Sequence, residues 1–200
     1  MNDKNFDKLA KKFAKNIYGT DKGKVRSAVV WREIEQCLAQ LPDRQLKILD
    51  AGGGFGQFSQ RLAEMGHQVL LCDLSGEMLK EAKIQIEQKG LESNITLRHG
   101  ALQELTPEQV GQFDFILCHA VLEWLAQPQL AIKSLTQLLK SDGRLSLMFY
   151  NKEAQRLFNL LACNFDFVES GMKAKKTVKL SPTNPLIPQQ VYDWCHELGL

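Results

Sequence analysis

The run Leu49-Asp50-Ala51-Gly52-Gly53-Gly54-Phe55-Gly56 constrains the fold of this chain more than any other feature. The apolar segment LKILD leads into it and an amphipathic segment ending near Met65 leaves it, so four glycines sit where a buried strand gives way to a helix. Glycine allows a sharp turn there and lets the main chain approach a ligand with no Cβ in between. A plain strand-to-helix turn also explains a glycine cluster, but the strand and helix on either side favour ligand binding.

The same grammar then repeats. QVLLCD precedes a helical pattern from Ser75 to Lys89, followed by ITLRHG, by FDFILCHA with a helix across Leu130 to Leu139, and by RLSLMFY. Five short apolar strands separated by helices predict a parallel sheet with helices on both faces, an α/β fold. Its ligand crevice is expected at the carboxyl ends of the strands, where strand order reverses. Ahead of the sheet, Phe6, Leu9, Phe13 and Ile17 recur at helical spacing with lysines on the other faces, and a second helix runs through Val25, Val29, Ile34 and Leu38. After Tyr150 come a helical stretch to about Phe165, a loop rich in Lys, Pro and Ser, and a last helix in PQQVYDWCHELGL. A single domain over residues 1–200 is expected: amino-terminal helices in 1–41, the sheet core in 46–150, and carboxyl-terminal helices with the basic loop in 151–200.

Spacing narrows the ligand. A dinucleotide fingerprint G-x-G-x-x-G starting at Gly52 requires glycine at position 57, which is Gln57, and this argues against a nicotinamide-dependent oxidoreductase. Asp73 ends the second strand, where a carboxylate can accept hydrogen bonds from both hydroxyls of a ribose. The alternative role of capping the next helix falls more naturally to Ser75. Leu102 and Gln103 follow the third strand, where backbone N–H groups and an amide suit an adenine edge. His119 ends the fourth strand at the same crevice, and a cofactor or substrate contact is favoured over simple packing. Tyr150 and Asn151, at the end of the fifth strand, are candidates for substrate contact by position, and strand-end packing explains them equally well. Trp31 and Trp124 fit a helix core better than a stacked base.

The net charge of +2 conceals an asymmetry. Residues 1–26 carry eight Lys/Arg against three acids and residues 171–180 carry four Lys and no acid, leaving the remainder net acidic. Segregated basic segments suggest a polyanionic partner, or only a solvated face. The five cysteines are widely spaced, with no C-x-x-C pair and no metal-ligand spacing to the four histidines. They read as reduced core thiols, and no metal is expected. The charged amino terminus lacks the apolar core of a signal peptide and no apolar run is long enough to span a membrane, so a soluble, cytoplasmic protein is expected.

Glycines at 52, 54 and 56 after Asp50 resemble the D-x-G-x-G-x-G motif of class I, Rossmann-like methyltransferases. A closer likeness extends over nearly the whole chain. The run NFD..A.KF..NIYGT.KG..R, with LDAGGGFGQ, HQVLLCDLS.EM, CHAVLEWLAQP, LSLMFYN and the loop GMKAKKTVKLSP, is similar to the bacterial tRNA 5-carboxymethoxyuridine methyltransferases. That resemblance implies S-adenosylmethionine as cofactor and methylation of the wobble-base carboxylate to its methyl ester. It implies cofactor contacts at Arg26, Gly52, Gly53, Asp73, Leu102, Gln103 and His119, with Leu102 larger than the residue expected there. The guanidinium of Arg26 then becomes a clamp on the cofactor carboxylate. Lys173, Lys175, Lys176 and Lys179 would meet the phosphates of the anticodon region, with no obligatory protein partner. The antiparallel strands that end class I sheets are expected to begin where the sequence stops, so either the chain is a truncated form or it lacks them, and the fifth strand is then expected to be an edge. A methyltransferase acting on a small molecule, and a non-catalytic cofactor- or RNA-binding module, remain alternatives.

Overall fold

The computed structural model describes residues 3–7, 20–172, 182 and 184–200. Strands β1 (Lys47–Ala51), β2 (Gln68–Asp73), β3 (Ile95–His99), β4 (Phe113–His119) and β5 (Leu139–Met148) form one sheet in the order β3-β2-β1-β4-β5, with every pairing parallel. The chain builds outward from β1 to β3 and then crosses back to lay β4 on the other side of β1. Strand order therefore reverses between β1 and β4, and the crevice opens at their carboxyl ends.

Eight α-helices accompany the strands among the described residues: α1 (Asp21–Leu38), α2 (Gln57–Glu64), α3 (Gly76–Lys89), α4 (Pro107–Val110), α5 (Pro128–Gln137), α6 (Lys152–Leu161), α7 (Phe165–Glu169) and α8 (Pro188–Glu197). Alternating strand residues feed two separate cores. Ile48, Leu71, Phe115 and Leu117 pack with Trp31 and Ile34 of α1, Leu62 of α2 and Ala82 of α3 on one face. Leu49, Ile116 and Cys118 pack with Ile132 and Leu135 of α5 and Val191 of α8 on the other. Six of the seven β4 residues are buried, as the unbroken apolar text of a central parallel strand requires.

One charged cluster anchors the end of the sheet opposite the crevice. Asp114 accepts from Arg44 (2.7 Å), from the backbone N–H of Lys47 (2.8 Å) and from Lys140 (2.9 Å). Burial alone would raise its pKa, but these three donors outweigh it and hold the carboxyl well below the usual range.

Several local expectations are corrected. Helix α1 forms, yet Val25 and Val29 are exposed, because the stripe turned inward runs through Val30, Trp31, Ile34 and Leu38. Strand β5 starts at Leu139 rather than near Arg144, since a register shift between Phe113 and Phe115 lets Leu139 pair with Phe113. The helical stretch to Phe165 is two helices, broken where Cys163 adopts a left-handed backbone (φ 57°). Cys72 and Cys118 are buried thiols whose pKa values are raised by burial, but Cys163 is exposed and not a core thiol. Most of the expected amino-terminal helix, and Lys173, Lys175, Lys176 and Lys179 of the expected basic loop, lie outside the described residues. Among the described residues β5 has no antiparallel neighbour, and no helix is long and apolar enough to cross a membrane.

Candidate active site

The carboxyl ends of β1, β2 and β4 open into one cavity whose lining includes Arg26, Gly52, Gly53, Asp73, Leu102, Gln103 and His119, with Tyr150 at its rim. Asn151 does not line it. The Asn151 side-chain oxygen accepts from the backbone N–H groups of Glu153 (2.8 Å) and Ala154 (3.0 Å), which makes it the cap of α6. Among the described residues no group of three or more His, Cys, Asp or Glu could hold a metal ion.

The glycine turn is demanded first by the protein's own packing. Gly52, Gly54 and Gly56 have φ of 75°, 57° and 69°, a left-handed backbone that side chains disfavour. At Gly53, whose φ is unexceptional, a Cβ would lie 2.4 Å from both Asp50 Cγ and Leu71 Cδ1. The turn is tied back to β2, because Gly52 N–H donates to the Cys72 carbonyl at 2.7 Å. Beneath it, Asp50 is buried and accepts from Ser59 Oγ at 2.7 Å. Burial pushes the Asp50 carboxyl up to about 6, against the opposing effect of Ser59.

Asp73 joins the turn to the ligand space. Its Oδ2 accepts from the Gly54 N–H at 2.8 Å and its Oδ1 from the Ser75 N–H at 2.7 Å. Burial raises its pKa while these two bonds act the other way. Ser75 caps α3 as its position predicts, accepting from Met78 N–H at 3.2 Å, which leaves Asp73 free of that task.

His119 has one ring nitrogen engaged and one waiting. Nε2 pairs with Ser146 Oγ at 2.9 Å, while Nδ1 is buried with no hydrogen-bond partner among the described residues. Burial pushes its pKa down to about 4, so the ring is neutral at pH 7. Phe58 meets it edge to face, with ring centroids 5.8 Å apart. Leu102 places its side chain in the core cluster beside the cavity, and Gln103 donates its amide to Asp3 Oδ2 at 2.9 Å.

Sequence reasoning missed three contributors. Glu123, from the short turn Leu122–Trp124, is buried in the wall, and its carboxyl is pushed up to about 6 by burial despite the opposing charge of Arg26. Residues 3–7 form a strap across three loops of the cavity rim. Asp3 also accepts from Ala126 N–H (2.7 Å), Asn5 donates to the Leu74 carbonyl (3.2 Å), and Asp7 accepts from Ser75 Oγ (2.8 Å). Trp124 lines the cavity in edge-to-face contact with Phe6 of the strap, whereas Trp31 is buried under the guanidinium of Arg61. The segment CHAVLEW, which spans the end of β4 and the turn after it, was the available signal for Glu123 and Trp124; nothing in the strap's sequence marks where it folds.

A family model described as a methyltransferase domain matches residues 49–147. The tRNA 5-carboxymethoxyuridine methyltransferase of Escherichia coli (strain K12) is 46% identical over 199 residues, covering all of this chain and 76% of that protein. A ubiquinone biosynthesis O-methyltransferase from Xanthomonas axonopodis pv. citri (strain 306) is 32% identical over 119 residues, 60% of this chain and 49% of that protein. Among solved structures, magnesium protoporphyrin IX methyltransferase from Synechocystis PCC 6803 with bound SAH superposes with a TM-score of 0.70 at 22% identity, covering 97% of this chain and 85% of that one. This last likeness carries the fold alone.

Proposed function

Because this chain belongs to the tRNA 5-carboxymethoxyuridine methyltransferase family, we propose that it transfers a methyl group from S-adenosylmethionine to the carboxylate of 5-carboxymethoxyuridine at the tRNA wobble position. The observation that carries this reading is the extent of the likeness, 46% identity along the entire chain, strap and carboxyl-terminal helices included. The small-molecule alternative rests on ubiquinone biosynthesis O-methyltransferases, matched at 32% identity over 60% of this chain or at 27% over 84%.

The cavity suits the cofactor. A half-buried carboxylate at Asp73 fits ribose hydroxyls, the Nδ1 of His119 fits a polar ligand group, and Arg26 supplies a cation for a carboxylate. Arg26, Gly52, Gly53, Asp73, Leu102, Gln103 and His119 would hold S-adenosylmethionine, which when bound supplies an activated methyl group. Gln103 contributes in this reading through its backbone and amide oxygen, since its NH2 is held by Asp3.

What the protein has to do is chiefly positional. The acceptor carboxylate, with an unperturbed pKa near 4 judged from Asp and Glu, is ionised at pH 7, so no side chain need take a proton from it. The walls would exclude water and aim the acceptor, and Tyr150, which lines the cavity beyond β5, would contact it. Lys173, Lys175, Lys176 and Lys179 would meet phosphates of the anticodon arm in the cytoplasm. Incubation with S-adenosylmethionine and either tRNA bearing the free acid or the same modified nucleoside alone tests the reading. Transfer to the tRNA alone is expected, and equal transfer to the free nucleoside would favour a small-molecule enzyme.

A further inference from the structure

Helix α6 turns its apolar stripe to solvent. Ala154, Leu157, Phe158 and Leu161 recur at i, i+3, i+4 and i+7, which aligns them along one face, and all four are exposed. Leu157, Phe158 and Leu161 keep 58%, 70% and 77% of their surface open, and Phe165 of α7, just beyond, keeps 55%. Gln155 and Asn159, on another face, are the partly buried ones: Asn159 Nδ2 donates to the Gln155 carbonyl at 2.9 Å, and Asn164 Nδ2 donates to Asn159 Oδ1 at 3.1 Å. No residue of α6 or α7 is buried. An amphipathic helix ordinarily sets its apolar stripe against a core, so a stripe facing outward calls for a partner.

We infer that this stripe is a docking surface for the same helix of a second copy of the chain, the two running antiparallel about a two-fold axis between Leu157 and Phe158. The stripe is self-complementary in that arrangement. Ala154 of one protomer meets Leu161 of its partner, Leu157 meets Phe158, and the two-fold repeats both contacts. At each end a small side chain faces a large one, which lets the helices approach without leaving a gap. Antiparallel packing also sets the N-terminal turn of each α6 beside the C-terminal turn of the other, so the helix dipoles attract.

The area is sufficient for a dimer. With ordinary side-chain areas, the exposed parts of Ala154, Leu157, Phe158, Leu161 and Phe165 amount to about 500 Å² per chain. Covering them in two copies removes about 1,000 Å² of apolar surface, and at an apolar share of about 60% the whole contact reaches roughly 1,600 Å², the size of a standard specific interface. Nucleic acid is a poorer occupant. The stripe carries no charge, and by the same spacing Lys152 and Arg156 fall on the far side of the helix, so a phosphate backbone has no cation to meet there. The contact adjoins the cavity, because Leu186 N–H donates to the carbonyl of Tyr150, a lining residue, at 3.0 Å, and Lys152 N–H donates to the Leu186 carbonyl at 2.8 Å. Association would brace that wall in each protomer.

The test is the mass of the protein in solution, read by sedimentation velocity over concentrations up to about 500 μM, well above the micromolar dissociation constant expected of an interface of this size. Wild-type protein should shift from monomer to dimer over that range. Leu161→Glu and Phe158→Glu, both at exposed positions, should each weaken association by about 10-fold or more and leave S-adenosylhomocysteine affinity within about twofold. The double variant A154K/L161E sets opposite charges against each other at both ends of the contact, and should recover part of the association lost in Leu161→Glu. A wild-type protein that stays monomeric at the highest concentration would overturn the inference and assign the stripe to another occupant. A dimer that survives both single variants would place the interface elsewhere, and a double variant no better than Leu161→Glu would overturn the antiparallel pairing.

Discussion

The carboxylate of Asp73 accepts a hydrogen bond from the backbone N–H of Gly54 at 2.8 Å, so the acid that ends β2 also fixes the glycine turn that follows β1. A single side chain thus sets the shape of the turn and offers its remaining lone pairs to the ligand space. This is why the acid and the glycines belong together although 19 residues of sequence separate them.

Replacing Asp73 by Ala should weaken S-adenosylhomocysteine binding by about 1 to 3 kcal/mol, through loss of charge-assisted bonds to ribose hydroxyls and of the tie to Gly54. Asp73→Asn keeps an acceptor for Gly54 and should recover part of the loss. Calorimetry on the three proteins reads this directly, and unchanged affinity in Asp73→Ala would reduce Asp73 to a structural residue.

Gly53→Ala should destabilise the fold by roughly 2 kcal/mol or more, because its Cβ would strike Asp50 and Leu71 at 2.4 Å. Gly66→Ala serves as the comparison, since Gly66 has a φ of 90° but nothing within 4 Å of an added Cβ. Strain alone should cost it about 1 kcal/mol. Denaturant unfolding that ranked the two variants in the opposite order would show the turn to be looser than described.

The sheet was legible because its signals are local. Apolar strand runs, the glycine spacing and the Ser75 cap each depend on neighbours within a few residues, and all but the start of β5 appear where expected. The contacts that complete the cavity are not local: Asp3 meets Gln103 across 100 residues and Ala126 across 123. No periodicity encodes such pairs. The exposure of Val25 and Val29 has a similar origin, since several apolar positions on α1 compete and only the packed sheet decides which stripe turns inward. Asn151 illustrates the converse, because its place at a strand end made it a candidate for substrate while its amide is spent on capping α6.

His119 makes stability depend on pH. Its folded pKa, about 4, lies below its ordinary value of 6.5, so the unfolded chain binds the proton more readily and stability from this group is lost as pH falls from about 6.5 to 4. Asp50 and Glu123, both raised to about 6, act in the opposite sense over much of that window. Relative to wild type, His119→Gln should therefore gain about 1 to 3 kcal/mol of stability on acidification from pH 6.5 to 4. Parallel stability curves for the two proteins would mean the imidazole is not desolvated as described.

The basic segment 171–180 can be tested independently of the cavity. Replacing Lys175 and Lys176 by Ala should weaken tRNA binding and reduce the slope of log affinity against log salt by about 1 to 2 units, with cofactor affinity unchanged. Binding of the double variant with the wild-type salt slope would remove this segment from the tRNA interface.

The central claim is that a carboxylate on tRNA accepts the methyl group. Its most direct test is to incubate the protein with labelled S-adenosylmethionine and tRNA carrying 5-carboxymethoxyuridine, digest the RNA, and identify the labelled nucleoside by mass spectrometry before and after mild alkali. The account predicts label on that one nucleoside as a methyl ester, released by alkali to regenerate the acid. Label that resists alkali, or that appears on another nucleoside, would contradict it.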